Sequence, residues 1–294
     1  MKIKFKEITI IGPGLIGGSI GLNLKKKKLA ERVIGIDTSR SNLVAALEKG
    51  IIDDYRLKID EKISKSEIIF ICTPVSSINN ILDNILPFIT KKNIVTDTGS
   101  VKNIFKRSTI KRINEVSNFL PGHPIAGTEH SGAKNALLNI FEGKWCILTP
   151  LNQNKSVKRV IAKIWESLGM KIAIMTTDEH DKIMSITSHL PHLIAFTIVN
   201  TAFELDIKKK KELINFSAGG FRDFTRIGSS DPKMWSDIFI ENKKHLINTL
   251  DNFIHDLQIF RGFIKNNEKG EIFEILKRTK VIRKSIIKAN NLKK

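Results

Sequence analysis

The spacing of apolar positions changes along this chain, and the change divides it. "EITIIG", from Glu7 to Gly12, is an apolar, β-prone run ending at glycine; Leu15, Ile16, Ile20, Leu22 and Leu24 then recur at helical spacing. The succession repeats. "RVIGID" predicts a short strand, "SRSNLVAALEKG" a helix capped by Ser39 or Ser41 and stopped at Gly50, and "EIIFICTP" a buried strand. "SINNILDNILPFI" predicts a further helix and "NIVTDTGS" a further strand, while "WCILTP" and "KIAIMT" complete the strand-like segments near Thr176. Such alternation implies βαβ units and a mostly parallel sheet covered on both faces. From Asp178 onward the patterns are almost all helical, as in "HDKIMSITSHLPHLIAFTIVNTAF" and "MWSDIFIENKKHLINTLDNFIHDLQIFRGFI". An α/β domain over 1–176 and an all-helical domain over 177–294 are therefore expected. The long apolar-faced helices exceed the needs of one small core, which predicts a homodimer through the helical half.

Composition narrows the class without overturning this picture. The 294 residues are 41% hydrophobic, adequate for packed cores. No uncharged apolar run approaches the length of a membrane span, and the basic N-terminus leads into a glycine turn rather than a signal-cleavage site, so a cytoplasmic protein with no membrane partner is expected. Cys72 and Cys146 sit inside apolar runs and read as small buried hydrophobes; no disulfide framework and no metal site are expected. A net charge of +19 raises the possibility of nucleic-acid binding. The lysines, however, fall in short runs at Lys25–Lys28 and Lys208–Lys211 and in a tail over Lys277–Lys294, with no interleaved aromatic platforms. They predict solvated faces and no nucleic-acid partner, while still attracting anionic metabolites.

Two motif regions carry chemistry. Gly12, Gly14 and Gly17 form G-x-G-x-x-G between a strand and a helix, and Asp37 follows Gly17 by about 20 residues at the end of the second strand. Gly12 permits the turn, Gly14 lets the backbone approach a pyrophosphate, and Gly17 lets the helix pack closely. The unpaired N–H groups of the first helical turn, at Leu15 and Ile16, face the phosphates. Asp37 suits the adenosine ribose hydroxyls and repels a 2′-phosphate, favouring NAD over NADP; Arg40 is the feature that argues the other way. Thr73 and Pro74 end the third strand at the carboxyl edge, where a dinucleotide lies in such folds.

Loops after later strands should then hold the reacting groups. "TDTGSVK" places Ser100 at a strand end, where its hydroxyl either reaches the nicotinamide or caps a helix beginning at Val101. "GHPIAGTEHSG" places His123 before Pro124, whose ring holds it extended. An imidazole titrating near pH ~6.5 can take a proton from a substrate hydroxyl at neutral pH.

The ordered set "GPGLIGGS", "TDTGSVK", "GHPIAGTEHSG", "SHLPH" and "GGFRDFTRIGSSDPKMW", spread over residues 12–235, resembles the prephenate/arogenate dehydrogenase family of tyrosine biosynthesis. The resemblance implies an N-terminal Rossmann-type domain followed by an all-α dimerisation domain. It also implies NAD-linked oxidative decarboxylation of prephenate to 4-hydroxyphenylpyruvate, with arogenate as the alternative substrate. By the same resemblance His123 is the catalytic base and Ser100 orients the substrate hydroxyl or the histidine. Arg226 is then the carboxylate-binding arginine, ahead of Arg222, and His192 faces the substrate while His189 supports or fills the core. Thr128, His130 and Trp235 match motif positions; His130 suits a surface role and Trp235 suits core as well. Glu129 and Asp223 flank a site for a dianion and need neutralising, with Arg226 or Arg222 as partner. The length leaves no room for the mutase or regulatory domains some relatives carry, so the stand-alone form is expected. A β-hydroxyacid dehydrogenase is the enzymatic rival, and a nucleotide-sensing nucleic-acid-binding protein the non-enzymatic one.

Overall fold

A computed structural model describes residues 4–151, 154–204 and 219–291; the Lys208–Lys211 run and the end of the basic tail lie outside them. Residues Met1–Lys243 form one compact unit and Lys244–Lys294 another.

In the first unit, strands β1 (Phe5–Ile11), β2 (Ala30–Ile36), β3 (Asp54–Arg56), β4 (Ile68–Ile71), β5 (Ile94–Asp97) and β6 (Asn118–Phe119) make a six-stranded sheet in the order β3-β2-β1-β4-β5-β6. Every pairing in it is parallel. Side chains alternate across the sheet, as the two-residue period of a strand requires. Ile8, Ile10, Ile68 and Phe70 join one core with Ile20, Leu24 and Trp165, while Ile11, Ile69, Ile71 and Val95 join the other with Leu82, Ile113 and Trp235. Helices α1 (Leu15–Lys26), α2 (Arg40–Glu48) and α5 (Lys155–Ser167) supply the first core; α3 (Ile78–Ile85) and α4 (Arg107–Val116) supply the second. Apolar side chains on both faces explain why these strands read as continuous hydrophobic runs. The Rossmann-type α/β fold is thus present, with Ser39 as the expected cap of α2, its side chain accepting from the N–H of Asn42.

Two features depart from the sequence reading. "WCILTP" and "KIAIMT" do form strands, β8 (Trp145–Leu148) and β9 (Lys171–Ile174), but in a second sheet of order β7-β8-β9. There β7 (Gly122–Pro124) runs antiparallel to β8, and β8 parallel to β9. Second, no helix begins at Val101, so Ser100 is no N-cap; the next helix is α4, from Arg107. The N–H groups of Lys102 and Asn103 go instead to the carboxylate of Asp181, at 2.8 and 2.7 Å, which satisfies them without a helix.

After β9 the structure is helical. Helix α6 (Thr177–Met184) opens with a reciprocal capping box between Thr176 and Glu179. A π turn over Ser185–His189 connects it to α7 (Leu190–Glu204). Pro191 lacks an N–H, so a distorted turn near it is what its chemistry predicts. Contrary to the sequence reading, the continuous run Thr177–Glu204 is long and apolar enough by composition to cross a membrane. It nevertheless buries His180, Asp181, Ser185 and His189 within the protein, side chains that each have at least one hydrogen-bond partner here. Helices α8 (Gly219–Thr225) and α9 (Pro232–Glu241) complete this part.

The second unit holds most of α10 (Lys243–Lys265) and α11 (Lys269–Asn291). Asn267, at φ 58°, ends α10, and the N–H of Glu268 returns to the carbonyl of Phe263. Ile254, Leu257, Ile264, Phe273, Leu276 and Val281 stand exposed on these helices.

Candidate functional site

One cavity of about 1660 Å³ opens along the carboxyl edge of the parallel sheet. Its wall brings together Gly12, Gly14, Leu15, Ile16, Asp37, Thr73, Pro74, Ser100, His123, Thr128, Glu129, His192 and Arg226. These come from residues more than 200 positions apart in sequence. Gly17 packs behind that wall.

At one end the geometry is a backbone cradle. Gly12 has φ +82°, a conformation that L side chains rarely adopt, and its missing Cβ would lie 2.8 Å from the carbonyl oxygen of Cys72. At Gly17 a Cβ would stand 2.4 Å from the carbonyl oxygen of Gly12, so only glycine lets α1 approach the turn. Beside Gly14 a Cβ would meet nothing within 4 Å. That open space adjoins the first turn of α1, which has no side-chain cap and no acidic residue, leaving its N–H groups and positive dipole end for an anion. Asp37 accepts from the N–H of Ser39 at 2.9 Å and from the amide of Asn42 at 2.8 Å, which fixes its carboxylate at the cavity wall. These residues fit a dinucleotide. Arg40 lies outside the wall, whereas Lys58, which the sequence reading did not weigh, lines it.

At the other end buried polar bonds position the side chains. Asp97, at the end of β5, accepts from the N–H of Gly99 and of Gly122 and pairs with the Lys102 ammonium, both side chains being fully buried. One carboxylate therefore anchors the loop bearing Ser100 and the strand bearing His123. In β7 the extended backbone pairs His123 with Ile147, as the following proline favours. Its Nδ1 lies 2.8 Å from Nε2 of His180, whose Nδ1 lies 2.7 Å from Asp181 Oδ1. Burial holds His123 well below the usual imidazole value of 6.5, and His180, Lys102 and His189 push it the same way. Burial likewise lowers His180, against the opposing pull of Asp181.

Across the cavity, His192 stacks on Trp235 with ring centroids 3.7 Å apart and donates through Nδ1 to the Ser188 carbonyl, 2.8 Å away. Burial lowers its pKa, as does the neighbouring Arg226. His189, fully buried, meets the Asn242 amide at 3.0 Å and is pushed down to about 4, chiefly by burial. Trp235 serves both readings made of it, packing in the second core while lining the cavity. Arg226 sits 3.4 Å from Glu129, so the expected neutralising pair forms, and forms with Arg226 rather than Arg222. Arg222 and Asp223 are exposed and outside the cavity wall. His130 is exposed, and its N–H meets Thr128 Oγ1 at 3.3 Å. Burial pushes the Cys72 thiol up to about 12 and raises Cys146 as well, so both stay protonated. Among the described residues no group of three or more His, Cys, Asp or Glu is arranged to hold a metal.

Sequence reasoning missed His180, Asp181, Asp97 and Lys102. One signal was available for the first two. The buried positions of α6 are His180, Asp181 and Met184, so its inward face is largely polar, which an ordinary core helix avoids.

Such a cavity places the protein among dehydrogenases that bind a dinucleotide across the carboxyl edge of a parallel sheet. The chain belongs to the prephenate dehydrogenase family: residues 20–174 match the model for the prephenate dehydrogenase nucleotide-binding domain, and residues 176–278 that for its dimerization domain. It is 32% identical to a cyclohexadienyl dehydrogenase of Zymomonas mobilis, over 95% of each chain. It is also 32% identical to a prephenate dehydrogenase of Bacillus subtilis, over 93% of this chain and 74% of the relative. Among solved structures, prephenate dehydrogenase from A. aeolicus in complex with hydroxyphenyl propionate and NAD+ superposes with a TM-score of 0.90 at 32% identity, covering 97% of this chain and all of that one.

Proposed function

We propose that this chain oxidatively decarboxylates prephenate with NAD, giving 4-hydroxyphenylpyruvate and carbon dioxide. The observation that carries the reading is that His123 and Arg226 share one cavity wall with the glycine turn and Asp37. NAD, when bound, accepts the hydride from the ring carbon that bears the hydroxyl. Gly12, Gly14 and the N–H groups of Leu15 and Ile16 hold its pyrophosphate, Asp37 its ribose, and Thr73 and Pro74 flank it. His123 takes the hydroxyl proton; being held below its ordinary pKa, it is a free base at neutral pH. Loss of the ring carboxylate as carbon dioxide restores aromaticity. Ser100 orients the hydroxyl. Arg226, with a guanidinium suited to paired oxygens, binds a substrate carboxylate, and its ion pair with Glu129 opens to do so. His192 and Thr128 complete the substrate wall.

Two further points belong to this reading. The division between nucleotide-binding and helical parts falls near residue 176, and the exposed apolar side chains of α10 and α11 form a homodimer interface. NADH formation measured with prephenate or arogenate, each with NAD or NADP, tests the assignment. Turnover confined to arogenate or to NADPH formation, or absent with both substrates, overturns it.

A further inference from the structure

We infer that Asp181 and His180 form a buried relay that dictates which ring nitrogen of His123 is basic, which makes His180 a positioning residue for proton removal. This rests on the assignment of His123 as the base.

The argument starts from donors whose roles are fixed. Backbone N–H groups can only donate, so Oδ1 of Asp181 accepts from Lys102 at 2.8 Å and Oδ2 accepts from Asn103 at 2.7 Å. Oδ1 also lies 2.7 Å from Nδ1 of His180, which must therefore carry the proton in that bond. A neutral imidazole holds one proton, so Nε2 of His180 presents a lone pair. Facing it at 2.8 Å is Nδ1 of His123, which must donate. Nε2 of His123 is left as the bare nitrogen, and it is the one a substrate hydroxyl can use.

The groups packed around the relay support this assignment. Lys102 is neutralised by Asp97 in a fully buried pair, His189 meets Asn242, and Asn242 also donates to the Asp181 carbonyl at 2.9 Å. His180 and Asp181 are themselves fully buried, so water does not compete for these bonds. The arrangement has a second effect. When His123 gains a proton it becomes a cation, and the Asp181 carboxylate, one imidazole away, stabilises it through the same bonds. An imidazole held in the wrong tautomer cannot serve as base at all, which is why such orienting partners affect turnover far more than binding.

The direct test is nitrogen-15 NMR of the ligand-free protein with labelled histidine, the His123 signals being assigned by their loss in His123→Asn. A protonated Nδ1 and a bare Nε2 on His123 at pH 7.5 are expected; a protonated Nε2 overturns the relay without any variant at position 180. His180→Leu, which removes the acceptor, should lower kcat by about 100-fold with KM for NAD unchanged. His180→Gln, whose Oε1 can accept from Nδ1 of His123, should recover most of that loss. Equal kcat and an unchanged tautomer in a folded His180→Leu protein overturn the inference. Near-normal turnover in His123→Asn would instead overturn the base assignment, an outcome the NMR experiment distinguishes because it needs no turnover.

Discussion

The two ends of the cavity are built in different ways. The dinucleotide end is made of backbone: a glycine turn, the first turn of a helix and the ends of adjacent strands, drawn from consecutive βαβ units. The reaction end is made of side chains carried in from distant segments and held by buried polar bonds, with His123 tied to His180 across 57 positions and Glu129 to Arg226 across 97. A backbone site tolerates side-chain change but not added volume. A side-chain site should respond the other way, losing function when one partner is removed even if the fold survives.

That contrast can be tested by substitution. The largest effect is expected at His123→Asn, which should reduce kcat by about 10²–10⁴ while leaving the NAD dissociation constant within about two-fold. In the wild type, activity should hold at neutral pH and fall only below pH 6.5. The sign follows from the lowered pKa: His123 must be unprotonated to act, and it stays so until the pH drops through its depressed value. An acid limb above pH 6.5 would contradict it. Arg226→Ala comes next and should raise KM for substrate by about 10–100-fold, in line with the ~1.5–3 kcal/mol of a charged hydrogen bond, with kcat little changed. An unchanged KM in steady-state assays would remove Arg226 from the substrate wall.

At the backbone end, Gly17→Ala places a methyl group 2.4 Å from a carbonyl oxygen and should cost about 1–3 kcal/mol, seen as a lower melting temperature and weaker NAD binding by calorimetry. Full retention of both would mean that the close packing of α1 is dispensable. The smallest effect is expected at Asp37→Ala, which should narrow the preference for NAD over NADP by about ten-fold, since a charge of one sign is worth ~1–2 kcal/mol near a surface phosphate. An unaltered cofactor ratio would shift attention to Lys58 as the discriminating group.

The same contrast explains what the sequence made legible. The glycine turn, Asp37 and the buried strands announce themselves because each depends on neighbours close in sequence: a positive φ at Gly12, a tight approach at Gly17, apolar runs such as "IIFI" in β4. Of the two readings of Ser100, the helix cap failed because the deciding groups, the Asp181 oxygens, lie some 80 positions away. His180 escaped notice for the same reason. The polar inward face of its helix was a clue to burial, but only tertiary packing puts its ring against His123. The second sheet was equally hidden, since "WCILTP" satisfies strand propensity whichever sheet it joins; Pro121, unable to donate to a ladder, lies just where the chain leaves β6 for β7.

The π turn over Ser185–His189 acts as a spacer whose residue count matters more than its composition. An α-helix advances about 100° around its axis per residue. The wider turn absorbs one residue more than an α-helical turn would, so forcing the same residues into a regular helix would swing everything downstream by roughly that angle and carry His192 off the face of Trp235. A change that closed the wide turn without removing a residue would keep the helices and the charge of the protein yet cost the cavity its aromatic floor.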